Sequence, residues 1–208
     1  MKSALIFLHG DLSDISPIKP YIELVDLLIA ADGGAEYALK SGVTPHIVIG
    51  DLDSISPETK ALLENKTTWQ IYPREKDFTD AELAIQYALE KTATTVYIVG
   101  FLGRRLDHML ANLAYLSTIP AHVVLIEGSQ RLSFIKKSAS IIGKKDDEVS
   151  LIPLLTDCLD VTTAGLSYPL DHELLPYGTT RGISNVMLAE KATVTISSGT
   201  LLCIQTIK

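Results

Sequence analysis

The chain has 208 residues, of which 47% are apolar and 21% charged, so it is long enough to bury a sizeable core and too apolar for a disordered segment. Its formal charge of -7 gives no global attraction to nucleic acid or to an anionic membrane surface. The opening MKSALIFLHGD holds an uninterrupted run of only five apolar residues before His9, too few for a secretory leader, and no stretch approaches about 20 apolar residues. A cytoplasmic protein is expected, with Cys158 and Cys203 reduced and buried.

Through the first 128 residues, short apolar runs alternate with helical patterns. Strands are expected over Ala4 to Leu8, Leu27 to Ala31, Ile47 to Ile49 and Val96 to Val99, then over Val123 to Ile126, with a weaker one at Trp69 to Pro73. Helices are expected over Ala35 to Ser41, Pro57 to Asn65, Thr79 to Lys91 and Leu106 to Leu116. Ser56 and Thr79 stand where N-caps belong, and Glu82 completes a capping-box pattern with Thr79. This alternation predicts βαβ units around a mostly parallel sheet with flanking helices. From residue 129 to 208 the texture changes to short Val-, Ile-, Thr- and Ser-rich runs without a helix, the mark of a small all-β domain. GKKDDE at Gly143 to Glu148 reads as a hairpin tip.

In a parallel sheet the working residues gather at the carboxyl ends of the strands. Four successive strand ends here carry polar clusters. Asp32, Gly33 and Gly34 follow the second strand, and Asp51 and Asp53 follow the third. Lys76, Asp77 and Asp80 follow the weak strand, and Arg104, Arg105, Asp107 and His108 follow the next. A lone DxD or DGG is more often a solvated turn, and a lone TD is more often a cap. Their recurrence on one rim is the informative feature.

Six carboxylates on one rim repel one another unless a cation stands among them. Mg²⁺, an oxygen-ligand ion that keeps company with phosphates, is the natural choice. Asp51 and Asp53, two residues apart in an extended segment, would point the same way. The glycines would let backbone N–H groups approach phosphate oxygens, and Lys76, Arg104 and Arg105 would neutralise phosphate charge. No P-loop and no dinucleotide-binding glycine motif is present. His9, His46, His122 and His172 read as structural or solvated.

The ordered set ADGGAEYAL, PHIVIGDLDSISPE, EKDFTDAELAI and GRRLDHMLANL, with GLSYPL and TRGISN in the second half, resembles thiamine pyrophosphokinase along nearly the whole chain. The resemblance implies an α/β catalytic domain over 1–128 that binds nucleotide and Mg²⁺, and a β-sandwich domain over 129–208 that binds thiamine. It implies a homodimer with active sites between subunits, and transfer of a diphosphate from ATP to the thiamine hydroxyl with release of AMP. By position it makes Asp51, Asp53, Asp80 and Asp107 the metal and phosphate cluster. Asp32, Gly33 and Gly34 become the nucleotide-side loop, Lys76 and Asp77 part of the KDxTD motif, and Ser184 and Asn185 the thiamine side. Arg104 stands where the family commonly has glycine. The one tryptophan, Trp69, lies in the first half, so an aromatic stack on thiamine would fall to Tyr168 or Tyr177, unless these are core. The rival readings are a haloacid-dehalogenase-like phosphatase, whose DxD would belong on the first strand, and a non-catalytic thiamine or nucleotide sensor, which would lack one of the carboxylates.

Overall fold

The computed structural model describes residues 2–12, 14–103 and 105–208, and divides them into two compact units, Met1–Gly128 and Ser129–Lys208. In the first unit, six parallel strands pair side by side: β1 (Lys2–Phe7), β2 (Leu27–Ala31), β3 (Ile47–Gly50), β4 (Thr68–Ile71), β5 (Ala93–Val99) and β6 (His122–Glu127). Their order is β6-β5-β1-β2-β3-β4. Leu5, Ile6, Phe7, Ile29, Val48 and Ile98 are fully buried because helices cover both faces of a parallel sheet. Each such side chain contributes about 1.5–3 kcal/mol by leaving water.

The flanking helices are α1 (Lys19–Ile22), α2 (Gly34–Lys40), α3 (Pro57–Leu63), α4 (Asp80–Glu90) and α5 (Leu106–Thr118). Helix α3 starts as its sequence dictates, with Pro57 in the first turn and Ser56 Oγ accepting from the Thr59 N–H at 3.2 Å. Helix α4 is capped by Thr79, whose Oγ1 accepts from the Glu82 N–H at 3.1 Å. It turns Leu83, Ala84, Ile85 and Ala88 inward and packs on β2, β3 and β5. The turn at Ser16–Ile18 and the short α1 went unread in the sequence because Pro17 and Pro20 suggest a loop; both prolines instead sit in first turns, where the missing N–H costs nothing.

The second unit is a β-sandwich. One sheet pairs β7 (Gln130–Ile135), β14 (Leu201–Thr206), β9 (Glu148–Pro153) and β12 (Asn185–Val186) in that order, all antiparallel. The other pairs β8 (Ser138–Ile142), β13 (Lys191–Thr195), β10 (Cys158–Ala164) and β11 (Glu173–Leu175). Ile135, Val149, Leu151 and Leu201 from the first sheet meet Ile141, Val161, Leu175 and Val194 from the second in one core. Cys158 and Cys203 are free thiols within it, and burial pushes the Cys203 thiol up to about 12.

GKKDDE is not a hairpin tip. Strands β8 and β9 belong to different sheets, so this segment crosses the sandwich. It is anchored by Asp147, which is 0% exposed. Asp147 Oδ2 accepts from Lys144 N–H at 2.9 Å and from Gln205 Nε2 at 3.1 Å, while Oδ1 accepts from Lys208 N–H at 3.0 Å. Burial disfavours the charge, but these donors outweigh it and hold the carboxyl below the usual range.

Candidate active site

Strands β1 and β5 are neighbours whose connections run to opposite sides of the sheet, so a crevice opens beyond their carboxyl ends. A cavity of about 730 Å³ lies there. It receives His9, Gly10 and Asp11 from beyond β1, Asp32 from β2 and Asp51 from β3. Arg74, Lys76 and Asp80 come from the approach to α4, Phe101 and Gly103 from beyond β5, and Arg105, His108 and Asn112 from α5.

Three carboxylates converge in it. One ligand oxygen from each of Asp32, Asp51 and Asp80 lies within 4.8 Å of the others. The register explains why. Ala31 pairs with Ile49, and the Asp32 N–H donates to Ile49 O at 2.8 Å, so Asp32 lies beside Gly50, one residue before Asp51. Gly50, at φ +151°, makes room: a Cβ there would lie 3.0 Å from Asp32 Cβ and 3.2 Å from Asp80 Oδ1.

Asp32 itself has φ +46°, a left-handed conformation that costs a non-glycine residue and that clusters at functional sites. Its Oδ2 accepts from Ser54 Oγ, which in turn accepts from the Gly33 N–H at 3.0 Å. That grip turns Oδ1 away, and Asp32 Oδ1 is buried without a hydrogen-bond partner among the described residues, on a residue only 8% exposed. Asp80 Oδ1 is likewise buried and accepts no well-aligned hydrogen bond. Burial raises the Asp80 carboxyl; hydrogen bonding and charge from Lys76 oppose the rise, and the charges of Asp32 and Asp51 add to it. Such a set of unsatisfied buried oxygens fits a hard cation.

The expected four-acid set of Asp51, Asp53, Asp80 and Asp107 is therefore not the set that converges. Asp53 turns outward because Leu52 adopts φ +63°, which breaks the extended alternation that would have aligned Asp51 with Asp53. The Asp53 carboxylate instead stands 3.8 Å from Arg74 Nε, and its N–H donates to Asp51 Oδ1 at 3.2 Å. Asp107 is exposed and held by Arg105 through two hydrogen bonds of 2.9 and 2.6 Å, which keep its carboxyl far below the usual range. Asp77 is exposed and outside the cavity lining. Arg104 lies outside the described residues.

Asp32, expected beside the nucleotide, is thus the third member of the acidic cluster. Gly33 and Gly34 serve packing: a Cβ on Gly34 would stand 2.0 Å from Phe7 O, and one on Gly33 would meet the His9 ring at 2.4 Å. The loop beyond β1 was the largest omission. His9, read as structural or solvated, lines the cavity, and Tyr37 Oη donates to Gly10 O at 2.5 Å beside it. The strand-end rule applied to LHGD would have found it.

In the second unit a smaller cavity of about 440 Å³ is lined by Leu151, Tyr168, Arg181, Ile183 and Asn185, among others. Asn185 is buried and its amide is engaged in the fold. Oδ1 accepts from Tyr168 N–H at 3.0 Å and Val186 N–H at 2.9 Å, and Nδ2 donates to Tyr168 O at 2.7 Å. Ser184 is exposed, at φ +58°, with its N–H donating to Ser150 Oγ at 3.0 Å. Tyr168 and Tyr177 are not core residues; Tyr168 is 71% exposed and borders the cavity.

A parallel sheet whose carboxyl rim gathers three acids beside lysine and arginine suits a cation and a phosphate-bearing ligand. The family model for the thiamin pyrophosphokinase catalytic domain matches residues 18–125, and that for the thiamin pyrophosphokinase vitamin B1 binding domain matches residues 135–201. The thiamine pyrophosphokinase of Bacillus subtilis (strain 168) is 29% identical over 211 residues, covering 99% of each chain. Its crystal structure aligns with a TM-score of 0.87 over 100% of both chains, at 28% identity. That of thiamin pyrophosphokinase from Geobacillus thermodenitrificans aligns at 0.85 with 26% identity, over 100% of this chain and 98% of the other. The chain belongs to the thiamin pyrophosphokinase family of enzymes.

Proposed function

We propose that the protein transfers a diphosphate group from ATP to the hydroxyl of thiamine, giving thiamine diphosphate and AMP, with Mg²⁺ required. The observation that carries this reading is the trio Asp32, Asp51 and Asp80, with Asp32 Oδ1 buried and unpartnered among the described residues and Asp80 paired to Lys76, in a cavity also lined by Arg74 and Arg105. Membership of the family supplies the substrate class.

In this reading Asp32, Asp51 and Asp80 hold Mg²⁺, which when bound neutralises phosphate charge. Diphosphate transfer needs in-line positioning and charge stabilisation more than covalent help. Lys76, Arg74 and Arg105 supply donors to phosphate oxygens from three sides of the cavity, with Asp107 orienting Arg105 through its paired hydrogen bonds and Asp53 facing Arg74. His108 and Asn112 bring further polar groups from α5. A carboxylate of the cluster accepts the proton of the attacking hydroxyl. In the β-unit Tyr168 offers an aromatic face to the flat rings of thiamine, Asn185 fixes the Tyr168 backbone from both sides, and Ser184 offers its hydroxyl. The reading includes a homodimer with active sites between subunits, working in the cytoplasm.

The test follows AMP and thiamine diphosphate from purified protein with ATP and Mg²⁺, with and without thiamine. The expected result is both products in equal amounts and only with thiamine present. ADP or free phosphate in their place would overturn the diphosphate transfer. For the dimer, an Asp51→Asn subunit mixed with a Tyr168→Ala subunit should recover activity that neither has alone.

A further inference from the structure

A lysine is rarely buried, because its ammonium is strongly hydrated. The Lys76 side chain is only 12% exposed. Its Nζ stands 3.1 Å from Asp80 Oδ1 and 4.0 Å from Asp51 Oδ2, at the edge of the acidic trio. Of its three N–H donors, one reaches Pro73 O at 3.3 Å. The 3.1 Å contact with Asp80 Oδ1 is an ion pair whose alignment falls short of a regular hydrogen bond, and it opposes the rise that burial imposes on the Asp80 carboxyl.

One oxygen from each of the three carboxylates lies within 4.8 Å of the others, and among the described residues the ammonium paired with them is that of Lys76. The three oxygens are also close to the spacing an octahedral ion demands: ligands at about 2.1 Å from Mg²⁺ lie about 3–4 Å apart. A divalent ion placed among them would draw on the same Asp80 carboxylate as the ammonium, and two cations on one carboxylate repel. Lys76 has somewhere to go. It sits on the segment between β4 and α4, where Arg74, Glu75, Asp77 and Phe78 are all exposed, and it lines the same 730 Å³ cavity as Arg74 and Arg105.

We propose that Lys76 is the resident counter-ion of the acidic trio and that it exchanges with the divalent cation, leaving Asp80 for the phosphate side of the cavity as the ion takes the carboxylates. The exchange rests on the cation reading above. It couples the two binding events: the ion frees a lysine for the polyphosphate, and the polyphosphate keeps that lysine from returning.

The deciding experiment compares crystals of the wild-type protein soaked in EDTA with crystals soaked in Mn²⁺ without nucleotide. Mn²⁺ on Asp32, Asp51 and Asp80 with Lys76 Nζ withdrawn beyond ion-pair distance from Asp80 is the expected result. Mn²⁺ on the trio with Lys76 still paired to Asp80 overturns the exchange and leaves the cation reading standing. No Mn²⁺ on the trio overturns both. In solution, Lys76→Gln should bind Mn²⁺ roughly 10-fold more tightly than wild type without nucleotide, because the competing charge is gone. It should also melt lower than wild type in EDTA, with the gap closing as Mn²⁺ is added. Equal Mn²⁺ affinity in the two proteins counts against the exchange.

Discussion

Two buried acidic sites in this molecule are built in opposite ways. In the β-sandwich, Asp147 is wholly enclosed and both oxygens are met by donors from Lys144, Gln205 and Lys208. On the rim of the α/β unit, Asp32 and Asp80 each present a buried oxygen with no regular hydrogen-bond partner among the described residues, the Asp80 oxygen facing only the Lys76 ammonium. A satisfied carboxylate ties chain segments together; a gathered and unsatisfied one is reserved for something that arrives.

The sharpest way to test that contrast is to remove one member from each site. Asp51→Asn should lower turnover by about 100-fold or more while leaving the thermal transition in place. Retained turnover would remove Asp51 from the machinery. Asp147→Ala should do the reverse, costing about 3 kcal/mol or more because three donors lose their acceptor in the interior. Denaturant unfolding reads the loss, and the folded fraction should keep its turnover.

The pH slopes should also oppose each other. The Asp147 carboxyl titrates below its unfolded value, so its stabilisation is complete above the ordinary carboxylate range and is lost as pH falls through and below it. The Asp80 carboxyl titrates above its unfolded value, so in metal-free buffer its share of stability is present at low pH and is lost as pH rises past that range. Asp80→Asn in EDTA at neutral pH should therefore melt above wild type, and a lower midpoint would reverse the assignment. The smallest effect is at the cap that starts α4: Thr79→Ala should cost about 1 kcal/mol and move Asp80 only slightly.

Much of this was legible in the chain. The strands of the α/β unit are short apolar runs, and the caps at Ser56 and Thr79 stand where their side chains find N–H groups. Asp51 and Asp80 follow from position at strand and helix ends. The rest was hidden by backbone conformation and by competition. A left-handed Leu52 sends Asp53 outward, and nothing in the letters DLDS announces it. Arg105, two residues from Asp107, captures a carboxylate that spacing alone would have sent to the cluster. Asn185 reads as a ligand group until its amide is found clamped to the Tyr168 backbone. Asp147 reads as one more acid in a charged turn until the turn proves to be a crossing between sheets.

The sheet order sets a timetable for the ribosome. Strand β1 lies between β2 and β5, pairing Ala4 with Leu27 on one side and Leu5 with Tyr97 on the other. One edge of β1 is therefore covered soon after it is made, while the other waits for more than 80 further residues. At about 5–20 residues per second that is a delay of roughly 5 to 20 seconds. During this interval a strand whose residues Ala4 to Phe7 are wholly apolar has a bare edge, open to pairing with another chain. Slowing translation between β4 and β5 should lengthen that exposure and raise aggregation of the nascent protein, without altering a single contact in the finished fold.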